Sequence, residues 1–119
     1  MDMYAENILD HYKNPRRLGR ILDCTHVAYD TNPLCGDEAS IFLTVKDGVI
    51  IDAAFSGKGC AISRAATSML MEYIVGRRTQ EALDISNDFV FDMIGAPLTA
   101  ARVKCALLGL VVIKKAINQ

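Results

Sequence analysis

The stretch Ser40-Ile-Phe-Leu-Thr-Val-Lys-Asp-Gly-Val-Ile-Ile-Asp-Ala-Ala-Phe55 carries the reading of the fold. Its halves, 40–45 and 49–55, are rich in β-branched and aromatic residues. Between them Lys46-Asp47-Gly48 contains the Asp-Gly pair that tight hairpins favour. Upstream, residues 25–30 read as a short further strand, and Asn32-Pro-Leu-Cys-Gly-Asp37 is so dense in turn formers that it reads as a loop. Further upstream, Tyr4, Ile8, Leu9 and Tyr12 recur at helical spacing, predicting a helix over 3–13 that Asn14-Pro15 ends. Downstream, Gly57-Lys58-Gly59 closes the second hairpin strand, and Cys60 opens a helix that runs through Ile74 and stops at Gly76. Thr79 is expected to cap a short helix over 80–84. Ser86 is expected to cap another over 87–94, closed by Gly95 and Pro97. Thr99 to Ile117 reads as the last helix, apolar nearly all round from Ala106 to Ile113 and so either buried or shared with a partner. The pattern predicts one α+β domain over residues 1–119, a small antiparallel sheet of about three strands packed against a bundle of helices.

The 119 residues are 51% apolar, 23% charged and 7% aromatic, too apolar for a disordered chain. The longest apolar run, Ala106 to Ile113, falls far short of the ~20 residues a membrane span requires. Met1–Asp10 has no basic segment followed by an apolar run, so secretion is not expected and a soluble, cytoplasmic protein is. Thirteen basic and fourteen acidic residues give a net charge of −1, which supplies no electrostatic footprint for nucleic acid. His11, Lys13, Arg16, Arg17 and Arg20 form a local basic patch. It reads as a docking face for a protein partner or as a solvated turn.

Four cysteines, Cys24, Cys35, Cys60 and Cys105, are expected as thiols, since no Cys-x-x-Cys pair and no secretory signal is present. Cys24 reads as a small buried hydrophobe. Cys35 lies in the glycine-containing loop two positions before Asp37. Cys60 stands at a helix N-terminus, where free amides and the helix dipole favour a thiolate. Cys105 sits near Arg102 and Lys104, whose charges favour one too. If these three converge they offer three soft ligands, and Asp37 adds one hard oxygen. A carboxylate in the fourth place binds soft metals more weakly than a fourth thiolate, which suits transfer better than permanent scaffolding. Gly57-x-Gly59 lacks the third glycine of a dinucleotide fingerprint, and no Gly-x-Ser-x-Gly elbow is present.

Four segments, Asp10-His-Tyr-Lys-Asn-Pro-Arg16, Asn32-Pro-Leu-Cys-Gly-Asp37, Gly57-Lys-Gly-Cys-Ala-Ile-Ser63 and Arg102-Val-Lys-Cys-Ala-Leu-Leu108, together resemble the iron–sulfur cluster assembly scaffold family of IscU, SufU and the amino-terminal domain of NifU. The resemblance implies an α+β fold in which Cys35, Asp37, Cys60 and Cys105 are the ligands at one exposed end. It implies a carrier rather than an ordinary enzyme: a scaffold that accepts sulfur from a cysteine desulfurase (SufS, IscS or NifS type), binds iron, and assembles and transfers a [2Fe–2S] cluster to apo-protein clients. Cys105 or Cys35 would be the first sulfur acceptor. The alternative it implies is a zinc-bound sulfurtransferase of SufU type, with Zn²⁺ on the same four residues and sulfur relayed to a separate scaffold. Lys104 stands where the scaffold branch usually has histidine, and the Leu-Pro-Pro-Val-Lys stretch that serves a chaperone is replaced by Ala96-Pro-Leu-Thr-Ala-Ala-Arg102. The Arg102-x-Lys104-Cys105 form resembles SufU, whereas the short segment between the second and third cysteines resembles IscU. A monomer or weak dimer is expected, with neither nucleic acid nor membrane as partner.

Overall fold

In the computed structural model the described residues are 3–34 and 36–119, with side chains from Glu6 onward. Helix α1 (Met3–Lys13) is followed by strands β1 (His26–Asn32), β2 (Asp37–Lys46) and β3 (Val49–Ser56), then by helices α2 (Ala61–Ile74), α3 (Thr79–Leu83), α4 (Asn87–Ile94) and α5 (Ala100–Ile117). The strands form one antiparallel sheet in the order β1-β2-β3. Asp47 and Gly48 both have positive φ, 53° and 77°, the backbone that a two-residue primed hairpin turn requires. Ser86 caps α4 by accepting from the Phe89 N–H at 3.1 Å, and Gly95 ends it at φ 71°. The cap of α3 differs from expectation. Thr79 is its first residue, and the Glu81 carboxylate accepts from the Arg78 N–H at 3.1 Å.

The loop expected over 32–37 is shorter than its composition suggests. Asn32 and Asp37 are paired as the last rung of the β1–β2 ladder, leaving only 33–36 to turn the chain. Along β2 the buried side of the strand begins with Asp37, Ala39, Ile41 and Leu43, following the period of two that a pleated strand imposes. Asp37 therefore lies in line with the core, at the end of the sheet where α2 and α5 begin.

Helix α5 crosses both β1 and β2 and packs on α2. Cys105, Ala106, Leu108, Gly109, Leu110, Val112, Ile113 and Ala116 are buried on it, so its apolar run serves the core, with Val111 left half exposed. At the α2–α5 crossing, a β-carbon on Gly109 would meet the Thr67 side chain, and Thr67 Oγ1 donates back to the Ser63 carbonyl at 2.8 Å. No helix among the described residues is long and apolar enough to cross a membrane.

Both edges of the sheet are covered. Residues 17–19 lie along β3, where Gly19 N–H donates to Phe55 O and Phe55 N–H to Arg17 O, and Ile50 N–H donates to Arg77 O. On β1 the cover comes from side chains of the last helical turn and beyond. Lys115 Nζ donates to Tyr29 O at 3.0 Å, and the Gln119 carboxamide bonds both the N–H and the carbonyl of Val27.

The basic patch is dispersed by this packing. His11 is buried against Ser68, Arg16 pairs with Asp10 at 2.5 Å, Arg17 pairs with Asp52 at 2.8 Å, and Arg20 lies over the Phe42 ring. Three of its five members thus hold the first helix and the following turn on the rest of the fold. The expected buried hydrophobe, Cys24, is only half-buried.

Candidate metal centre

Three elements supply the site. Asp37 opens β2, Cys60 is the N-cap of α2, and Cys105 lies on the second turn of α5. One ligand atom from each of Asp37, Cys60 and Cys105 lies within 4.8 Å of the other two. The residues are separated by 23 and 45 positions in the chain, so the fold alone brings them together. Cys35, the fourth expected ligand, lies outside the described residues.

Asp37 is 1% exposed. Its Oδ1 accepts from the Cys60 N–H at 3.0 Å, and its Oδ2 lies 4.0 Å from Cys60 Sγ. The carboxylate thus holds the start of α2 from across the sheet end, at the pole of the helix where free N–H groups attract an anion. Cys60 itself has extended backbone (φ −72°, ψ 171°) and is half-buried. Cys105 is 1% exposed, with its Sγ 3.7 Å from Ala101 O and 3.9 Å from Asn32 Nδ2.

Two glycines make this approach feasible. A β-carbon at Gly57, whose φ is 130°, would collide with the Glu38 carbonyl. At Gly59 it would stand 2.9 Å from Asp37 Oδ1. The Gly57-x-Gly59 pair reads in the sequence as a strand stop, yet it also lets the incoming chain pass β2 closely and leaves room for a carboxylate.

Arg102 and Lys104 separate in role. The Arg102 guanidinium stands beside both thiols, and the charge and hydrogen bond of Cys60, with a further hydrogen bond to Cys105, hold it above its ordinary range. Lys104 instead lines a groove with Asp30, Asn32 and Leu108. A wider groove of 660 Å³ between α1, α2 and α4 holds no cysteine.

The donor set suits a thiophilic ion. Ligands 2.0–2.3 Å from a tetrahedral centre stand roughly 3.3–3.8 Å apart, so the three atoms need close in by only about 1 Å. Two sulfurs and one oxygen match zinc or iron better than a hard cation.

The chain matches the NifU-like N-terminal domain across residues 3–119. It belongs to that family. Among NifU-like relatives, it is 37% identical over 115 residues to the iron–sulfur cluster assembly scaffold protein IscU 1 of Archaeoglobus fulgidus, covering 97% of this chain and 74% of that protein. It is 33% identical over 133 residues to the zinc-dependent sulfurtransferase SufU of Bacillus subtilis, covering 97% of this chain and 89% of that one. Its fold is that of the SUF-system protein FiSufU from Fervidobacterium islandicum AW-1, with a TM-score of 0.84, 27% identity and 94% of each chain covered. The NifU-like fold is thus an α+β arrangement of a three-stranded antiparallel sheet and, among the described residues, five helices.

Proposed function

We propose that this protein is an iron–sulfur cluster assembly scaffold, taking sulfur from a cysteine desulfurase and iron as its substrates and passing a [2Fe–2S] cluster to apo-proteins. The observation that carries the reading is the gathering of Asp37, Cys60 and Cys105 within 4.8 Å, with Cys35 as the fourth ligand on the sequence argument. The lengths support it as well. The alignment to the archaeal scaffold runs 115 positions, whereas that to SufU runs 133, more than the 119 residues of this chain, so SufU carries residues absent here.

Sulfur enters by exchange. A thiolate, from Cys105 or Cys35, attacks the outer sulfur of a persulfide on the donor. A new S–S bond forms, the donor's S–S bond breaks, and the donor cysteine leaves as a thiolate. No electrons are consumed in that step. Conversion of two transferred sulfurs to bridging sulfide takes four electrons; two come from the oxidation of two ferrous ions to ferric, and the other two from a dithiol reductant that is oxidised to its disulfide. Cys105 is nearly inaccessible, so it meets a donor only as the site opens, and the exposed Arg102 stands beside the thiols. That cation offsets the charge that builds up as thiolates, carboxylate and sulfide collect. Asp37, the hard ligand, keeps one corner exchangeable.

A second reading is favoured by Arg102 lying against both thiols in an Arg-x-Lys-Cys run. In it Asp37, Cys60, Cys105 and Cys35 would hold Zn²⁺, which supplies Lewis acidity that keeps thiols deprotonated. This chain would then carry sulfur from the desulfurase to a separate scaffold. Anaerobic reconstitution with ferrous iron, cysteine, a desulfurase and a dithiol reductant separates the two. A brown chromophore with two irons and two sulfides per site, transferable to an apo-ferredoxin, supports the scaffold. One tightly held zinc, with persulfide formation and no chromophore, overturns it for the relay, and neither result overturns both.

A further inference from the structure

We infer that Asn32 is a positioning residue of the site: one carboxamide joins the Leu34 N–H, just past the end of β1, to the sulfur of Cys105, and its N–H···S contact raises the reduction potential of a bound cluster. The effect on potential rests on the scaffold reading; the hydrogen bond does not.

Asn32 is the last residue of β1, the rung partner of Asp37, and 7% exposed. Its backbone carbonyl accepts from the Gly36 N–H at 2.9 Å, and its Oδ1 accepts from the Leu34 N–H at 3.3 Å. Those two amides flank Cys35 in the chain. Its Nδ2 points the other way, 3.9 Å from Cys105 Sγ. The orientation of the amide follows from chemistry. The Leu34 N–H requires an acceptor, so the oxygen must face the turn and the NH₂ must face the sulfur.

Few side chains could do both. Aspartate supplies the acceptor without the donor, serine and threonine are too short to span turn and sulfur, and glutamine adds a methylene in a closed space. Such a contact stabilises negative charge on sulfur. A reduced cluster carries one more electron than an oxidised one, so it gains more from the bond. Hydrogen bonds to ligating sulfurs are among the factors that set cluster potentials.

Two measurements test this. In metal-free, ¹⁵N-labelled protein, replacing Cys105→Ala should shift the Asn32 carboxamide resonances and speed their proton exchange, leaving the Leu34 backbone amide protected. Unaltered carboxamide protons would overturn the contact, whether or not any cluster can be loaded. In reconstituted protein, Asn32→Leu, which keeps the shape and adds no charge, should lower the potential by about tenfold in the oxidised-to-reduced ratio, 59 mV for one electron. Asn32→Asp should lower it too while keeping the Leu34 amide protected, because the acceptor is retained. A drop in the aspartate variant alone would reduce the effect to charge and overturn the inference. Failure of every variant and the parent to take up a cluster would sink the scaffold reading, with the proton-exchange result still deciding on Asn32.

Discussion

At Gly59 a methyl group would stand 2.9 Å from Asp37 Oδ1 and 3.1 Å from Ser63 Oγ, so Gly59→Ala is expected to push the carboxylate off its place. Metal or cluster affinity should fall, measured by competition with a chelator, while the far-UV spectrum stays native. Asp37→Ala removes the acceptor of the Cys60 N–H. Leaving that amide unpaired costs about 1–3 kcal/mol, which urea unfolding of metal-free protein should register. Asp37→Asn, which retains an oxygen, should lose less. His11 offers a pH test. Burial, with the nearby Arg16 charge, holds its imidazole below the ordinary range, outweighing the Glu72 carboxylate 3.4 Å away. The unfolded chain takes up the proton first, near pH ~6.5, so stability is intact above that pH. It declines as pH falls toward the folded value and then levels off. His11→Asn should flatten that slope in urea midpoints taken between pH 7.5 and 5.

Among the elements, what could be read in advance was whatever depends on neighbours in the chain. The Asp47-Gly48 turn, the Ser86 cap and the Gly95 stop are local chemistry, and each forms where its residues stand. The end of β1 was hidden because Asn32, Pro33, Gly36 and Asp37 all favour turns, and only pairing across the ladder makes strand residues of the outer two. Extending the alternation Leu43, Ile41, Ala39 back by one step would have placed Asp37 inward. The Arg17–Asp52 pair was equally hidden, since a run of cations looks the same in sequence whether or not its partners lie across the fold. The crossing of α2 and α5 gives a further prediction. A β-carbon at Gly109 would lie 3.2 Å from Thr67 Cβ and 3.3 Å from its Cα, so the backbone must yield. Gly109→Ala should cost about 1–3 kcal/mol by overpacking, despite the better helix propensity of alanine, and urea unfolding would show it.

In the molecule as a whole, the unequal treatment of the two sheet edges stands out. Backbone segments shield β3, whereas the outer edge of β1 relies on Lys115 and Gln119. An uncovered strand edge is a template for pairing with another chain. The double substitution Lys115→Ala with Gln119→Ala should therefore raise self-association with concentration, seen as a rising mass in light scattering, while Lys104→Ala should not.

The site has its own consequence at this scale. Its donors come from a strand and two helices, with one ligand atom of each within 4.8 Å of the other two, so cargo seated among them would act as a clasp on the tertiary structure. Occupancy at a thousandfold over the dissociation constant would add about 4 kcal/mol to the folded state. Full and empty molecules would then differ in how often they open to a protease, and delivery of the cargo would shorten the carrier's own lifetime until it is filled again.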